Sequence, residues 1–252
     1  MIEPLLLAAV GGALIGLLLT LFGGGGSVLA TPWLIYVVGL ADVHAAIGTS
    51  AAAVAVNAAA GLAGQARAGR VKWPCAAVFG TAGLAGALIG AQLAKQVDGA
   101  ALLNWFAFAM LAIALSMIVP RKSEGDPAVY LTGPMVFKLA PVGLITGLAA
   151  GFFGIGGGFL IAPGLMAATG MTLANAGASS LVSVALFGSA TSASYALSGQ
   201  LIWPLFGALV GGGLIGTVVA LPLAKRLESR AALARRLFAV LVIAVAVYIL
   251  AQ

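Results

Sequence analysis

Residues 22–32 read FGGGGSVLATP, and residues 153–163 read FGIGGGFLIAP, an offset of 131. Three further landmarks recur at an offset of 130. Gly48-Thr49-Ser50 matches Ala178-Ser179-Ser180, GRVKWP at 69–74 matches GQLIWP at 199–204, and Leu93-Ala94-Lys95 matches Leu223-Ala224-Lys225. A nearly constant offset marks an internal repeat, and a repeat fixes architecture before any single segment does. The chain divides into a first repeat (1–119), a polar linker (120–133) and a second repeat (134–252).

Composition says where the repeats reside. Of 252 residues, 62% are hydrophobic and 7% are charged, against about 25% charged in a soluble domain. With 12 Lys and Arg and 6 Asp and Glu, the chain lacks the polar shell of a water-soluble enzyme of this size. Disordered and collagen-like chains are excluded as well. An all-α, polytopic membrane protein remains. Its net charge of +6 reads as basic loops on the cytoplasmic side, not as a nucleic-acid surface. Cys75 is the single cysteine and makes no internal disulfide. Glu3 and Pro4 stand where a signal peptide carries positive charge, so the first apolar run reads as mature structure.

Polar and Gly/Pro punctuation predicts ten segments. They are Ile2–Leu21, Val28–Val38, Val43–Leu62, Trp73–Leu93 and Ala101–Val119, then Pro134–Phe152, Phe159–Ala168, Leu173–Leu197, Trp203–Leu223 and Ala231–Leu250. Most have the roughly 20 residues that cross about 30 Å of hydrocarbon. The second of each half is about half that length. A continuous helix from Ile2 to Val38 would extend about 55 Å, too long for one crossing, so the chain should fold back as a hairpin at the glycines. Charge agrees. With a hairpin in each half, Arg67, Arg70, Lys72, Arg121, Lys122, Lys225, Arg226, Arg230, Arg235 and Arg236 share one side and Lys95 alone falls opposite. Without it the basic residues split almost evenly, which the positive-inside tendency disfavours. The reading is two inverted-topology repeats, each a glycine-broken hairpin plus three transmembrane helices, with basic loops cytoplasmic and both termini periplasmic.

Contiguous glycines beside a short helix offer a specific chemistry. They let a ligand approach the backbone, and the helix that follows presents free N–H groups and a positive dipole end. Broken helices are tolerated in membranes where they are enclosed by protein or line a wet cavity, as at transporter midplanes. The candidate anion contacts are Gly24, Gly25, Gly26 and Ser27 with Gly156, Gly157 and Gly158. Hydroxyls at Thr49, Ser50, Ser179, Ser180 and Ser183 and the amide of Asn57 extend the set. Close helix packing by glycine and local helix bonding by the hydroxyls are the alternative readings, and packing is the expected role of Gly83, Gly86, Gly90, Gly212, Gly213 and Gly216. His44, the single histidine, lacks partners at metal-ligand spacing and reads as a loop or cap residue. Trp73 and Trp203 read as interface anchors.

The six acids are Glu3, Asp42, Asp98, Glu124, Asp126 and Glu228, none in the interior of a span. Proton and cation relays usually need such carboxylates. No nucleophile elbow, phosphate loop or HExxH pair appears, so no catalytic residue, metal or cofactor is expected.

On Gly23 to Ser27 with Pro32, Gly48-Thr49-Ser50, Gly69 before Trp73-Pro74 and their second-half counterparts, the sequence resembles the TauE/SafE family of sulfite and organosulfonate exporters. The resemblance runs over essentially the whole chain. It implies transport of small sulfur-containing anions across a bacterial inner membrane. The residues alone leave uptake, or a non-transporting membrane scaffold, as alternatives. They specify the lipid bilayer and a small anion as partners and are silent on oligomeric state.

Overall fold

The computed structural model describes residues 2–118, 125–154, 158–227 and 231–251. It is helical, and six of its described helices are long and apolar enough to cross a membrane. The elements run α1 (Ile2–Phe22), a 3-10 turn series (Gly23–Leu29), the single turn α2 (Ala30–Pro32), a π segment (Trp33–Val37), α3 (Val43–Arg67), α4 (Trp73–Ala94) and α5 (Gly99–Ile118). The second half repeats the order with α6 (Gly133–Phe153), α7 (Gly158–Thr169), α8 (Leu173–Leu197), α9 (Trp203–Leu227) and α10 (Ala231–Leu250).

The hairpins expected from segment length are present. α1 ends where Gly23 adopts φ +67°, and α6 ends where its repeat mate Gly154 adopts φ +66°. This left-handed region costs an L-residue with a Cβ, so glycine is the residue that turns the chain here. The return is direct: Trp33 Nε1 donates to Leu7 O at 2.9 Å, and Gly26 lies against Leu18 and Leu19. In the second half Gly164 of α7 packs beside Val142 of α6.

One detail differs from expectation. The first return segment is not a uniform helix starting at Val28; the glycines themselves are coiled as a 3-10 helix. Without side chains they tolerate its tighter winding. Pro32 then removes one N–H from the ladder, and the next turn loosens into π geometry, with Val38 N donating to Trp33 O at 3.0 Å. Several boundaries also move. α3 continues to Arg67 with Gly64 held inside it against Leu221, and α9 passes Pro222 to reach Leu227.

Packing exchanges the halves. α1 pairs with α9, and the repeat-equivalent pair is α6 with α4. Both run parallel: Gly12 and Gly16 face Leu209 and Gly213, while Gly143 and Gly147 face Phe79 and Gly83. An added Cβ at Gly12, Gly16, Gly143 or Gly147 would strike the facing helix backbone, and one at Gly213 or Gly83 would strike the side chain of Asn57 or Phe187. Helix association in lipid relies on such close approach, since apolar burial gives no advantage over lipid tails. The packing role expected of Gly83, Gly86, Gly90, Gly212, Gly213 and Gly216 is therefore met.

α3 and α8 form the centre and run antiparallel, with Gly48 near Tyr195, Ala55 near Gly188 and Gly61 near Leu181. α5 and α10 pair at the side, around Phe106, Met110, Val242 and Ile249. Asp42 caps α3, its Oδ1 accepting from His44 N at 2.9 Å and Ala45 N at 3.1 Å. The linker from Gly125 onward is tied to the α7–α8 junction, Asp126 N donating to Gly170 O at 2.9 Å.

Candidate functional site: the crossed glycine turns

Each glycine turn docks on the central helix of the other half. Gly23 lies against Gly177 of α8, and Gly154 against Ile47 of α3. Between them the two turns meet: an added Cβ on Gly24 or on Gly158 would fall on the other residue's backbone. Gly24 also approaches Val184, at the middle of the 25-residue α8. The contact therefore sits near mid-depth of the bundle. Glycine is required here by approach distance, whatever else it does. Gly25 and Gly26 continue the 3-10 coil, and Gly156 and Gly157 lie outside the described residues.

Every described polar candidate is buried, at 0–1% exposure for Ser27, Thr49, Ser50, Asn57, Ser179, Ser180 and Ser183. Their hydrogen bonds sort them. Ser27 Oγ donates to Gly24 O at 2.7 Å, closing the turn. Ser180 Oγ donates to Gly177 O at 2.8 Å and accepts from Gly24 N at 3.1 Å, so it ties the first turn to α8. Ser50 Oγ stands 3.1 Å from Ile47 O and 2.8 Å from Thr31 Oγ1. Thr31 escaped the sequence reading. The available signal was a hydroxyl immediately before Pro32, where the second half has Ala162.

Thr49 and Ser179 behave as mates. Ile202 N donates to Thr49 Oγ1 at 3.0 Å, and Lys72 N donates to Ser179 Oγ at 2.9 Å. Each hydroxyl holds the approach to the helix that opens at Trp203 or Trp73 in the repeat. Among the described residues neither hydroxyl proton meets an acceptor. An oxygen already loaded by an N–H is the better donor, because hydrogen bonds in a chain polarise one another.

The structure does not gather all candidates at one point. Thr49 lies near the start of α3 and Ser179 near the start of α8, which runs the other way. They are separated by most of the bundle's depth, about 20 Å at 1.5 Å per residue. The two hydroxyls thus lie on opposite sides of the crossing of the turns. Ser183 belongs to neither strap. Its Oγ is buried without a hydrogen-bond partner, one turn beyond Ser180 and facing Gly80 of α4. Asn57 donates weakly to Leu209 O at 3.4 Å and leaves Oδ1 unpartnered. It nestles on Gly213, while its repeat equivalent Phe187 nestles on Gly83, so the halves differ here in polarity. A buried polar atom without a partner costs about 1–3 kcal/mol. Among the polar candidates near the turns, Ser183 Oγ and Asn57 Oδ1 are therefore the atoms left to gain from a further hydrogen-bond partner, the first as a donor and the second as an acceptor.

A cleft of about 380 Å³ opens beside this centre, between α3, α8 and the start of α9. Ala52, Ala55, Ala59, Ser189, Ser192 and Trp203 contribute to its walls. None of its lining residues belongs to a glycine turn. His44 stacks on Tyr195 with ring centroids 6.1 Å apart, in keeping with a helix-start role outside this site.

The sequence profile described as "Sulfite exporter TauE/SafE" matches residues 8–249. The chain belongs to the TauE/SafE family. A protein of Xylella fastidiosa strain Temecula1, called "Probable membrane transporter protein", is 42% identical over 99% of this chain and 96% of its own length. A like-named protein of Haemophilus influenzae is 27% identical over 77% of this chain and 75% of its length. No solved structure matches the chain. As a TauE/SafE member the protein is a multi-pass membrane transporter, not an enzyme.

Proposed function

We propose that the protein exports a small sulfur-containing anion, sulfite or an organosulfonate, across the bacterial inner membrane. The anion is held near mid-depth by the coil starts at the two glycine turns and by hydroxyls that still have a proton to give. The observation that carries this reading is Ser183. Its hydroxyl is fully buried, unpartnered, and one helical turn from the serine that anchors Gly24. Gly24, Gly26 and Gly158 supply close backbone approach, and the same role is assigned to Gly25, Gly156 and Gly157. Ser183 is the hydroxyl donor at mid-depth, and Thr49 and Ser179 are donors along the path on either side of it. Ser27, Ser50 and Ser180, whose protons go to backbone carbonyls, shape the site and accept from it. Asn57 offers its carboxamide in one half alone. The two repeats are inverted across the bilayer, with the basic loops cytoplasmic and both termini periplasmic.

No carboxylate lies among these groups, so the site binds an anion without a buried negative charge to oppose it. Export then draws on the membrane potential, about 2.3 kcal/mol per unit charge per 100 mV. In proteoliposomes, labelled sulfite efflux should accelerate with inside-negative voltage and stall when the voltage is reversed. Flux indifferent to voltage would overturn electrophoretic export. Ser183→Ala should raise the half-saturating sulfite concentration about ten-fold, the worth of one hydrogen bond to a charged group, with unchanged thermal stability. An unaltered half-saturation value would remove Ser183 from the site.

A further inference from the structure

Lys95 closes α4, 22 residues and about 33 Å from the basic loop that precedes Trp73. It is thus a cation at the opposite end of the bundle from Arg67, Arg70 and Lys72. Its Nζ donates to Ser194 O at 3.1 Å and Ser198 Oγ at 3.2 Å and stands 5.7 Å from the Tyr195 ring centroid. Among the described residues no carboxylate pairs with it. The two acids of this end are engaged as helix caps, Asp42 on α3 and Asp98 on the start of α5, where it accepts from Ala100 N at 2.9 Å.

Tyr195 Oη, on the ring beside this ammonium, has no partner, and neither has His44 Nδ1, on the imidazole stacked against that ring, nor Oε1 of Gln200, whose main-chain N–H donates to Tyr195 O at 3.0 Å. Tyr195 is completely buried. The repeat supplies a control. Tyr195 is the equivalent of Gln65, and Gln200 of Arg70. In the first half these positions satisfy each other, since Gln65 Nε2 donates to Thr20 O at 3.2 Å and Arg70 Nη1 donates to Gln65 Oε1 at 3.5 Å. In the second half the same two positions are left open beside an uncompensated positive charge. Capping of the α8 C-terminus accounts for Lys95 alone. It does not account for an orphaned phenol in the same cluster.

We propose that this cluster is an anion-docking site at the face opposite the basic loops. Lys95 supplies the charge, Tyr195 the neutral donor, and His44 and Gln200 complete the rim through their side-chain N–H groups. It receives the same class of oxyanion that the central site passes, and to that extent it rests on the transport reading. A small pyramidal or tetrahedral oxyanion suits it, because its several oxygens accept from an ammonium and a phenol at once.

The test uses labelled sulfite with right-side-out and inside-out membrane vesicles. Sulfite presented from the face opposite the basic loops should need about ten-fold more for half-saturation in Lys95→Gln and in Tyr195→Phe, the loss expected for a hydrogen bond to a charged group. From the other face both variants should match the wild type. Equal behaviour from both faces, whether unchanged or equally impaired, would overturn the proposal. Equilibrium binding of sulfite to purified protein in detergent separates the two readings. Wild-type binding that Lys95→Gln weakens, without any flux, would sink the transport reading and keep the docking site. Binding untouched by Lys95→Gln would sink the docking site.

Discussion

Gly158→Val should abolish transport, leaving below about 1% of wild-type flux, and should lower stability by about 1–3 kcal/mol, the usual penalty of overpacking. The side chain would be built onto the backbone of Gly24, where neither residue can retreat. Gly24 is held from behind by Ser180 and beside it by Val184, and Gly158 opens α7. A flexible neighbour would give way; two main chains do not. The crossing must part, and with it the coil start that faces the cargo. Gly24→Val should behave alike because the contact is reciprocal. Gly207→Val is the control, since nothing lies within 4 Å of its would-be Cβ. Membrane-inserted protein quantified against flux in vesicles gives the answer. Wild-type flux in Gly158→Val would mean that the crossing plays no part in passage.

Much of this arrangement is legible in the sequence. The offset between FGGGGSVLATP and FGIGGGFLIAP announced two like halves, and the excess length from Ile2 to Val38 demanded a fold-back. Spaced glycines, Gly83, Gly86 and Gly90 in one half and Gly212, Gly213 and Gly216 in the other, flagged packing faces. What they could not name was the partner. That α1 lies on α9 while α4 lies on α6 is a decision of tertiary packing between small surfaces that are locally alike. The glycine run was expected to be an open junction before a helix, yet it is the beginning of the coil. Nothing in a string of glycines distinguishes those cases, because the residue favours neither. The polar candidates were legible as buried hydroxyls, but not their sorting. Thr49 and Ser179 are bound to the main chain of residues 202 and 72, and a main-chain partner leaves no mark in sequence.

That pair carries the second large effect. Thr49→Val and Ser179→Ala each leave a backbone N–H, of Ile202 or Lys72, without its acceptor just before a helix that opens with Trp-Pro. Proline and the chain geometry before it restrict how that N–H can turn to find another partner. Each single variant should therefore lose about 1–3 kcal/mol of stability. The two sites lie too far apart to share a neighbour, so the double variant should lose the sum of the two. Thermal unfolding in detergent, measured for both singles and the double, tests this directly. Sulfite binding in the same samples asks a separate question. If the free protons of these hydroxyls also serve the anion, each variant should show weakened affinity in addition to its lowered midpoint. Ser183→Ala, which releases no backbone group, should weaken affinity alone. A stability loss in Thr49→Val with affinity intact would assign that hydroxyl wholly to the strap and leave Ser183 as the donor. Additive loss from the pair, against a midpoint unmoved by Ser183→Ala, would show that the hydroxyls joining the halves and the hydroxyl awaiting cargo are different groups on the same two helices.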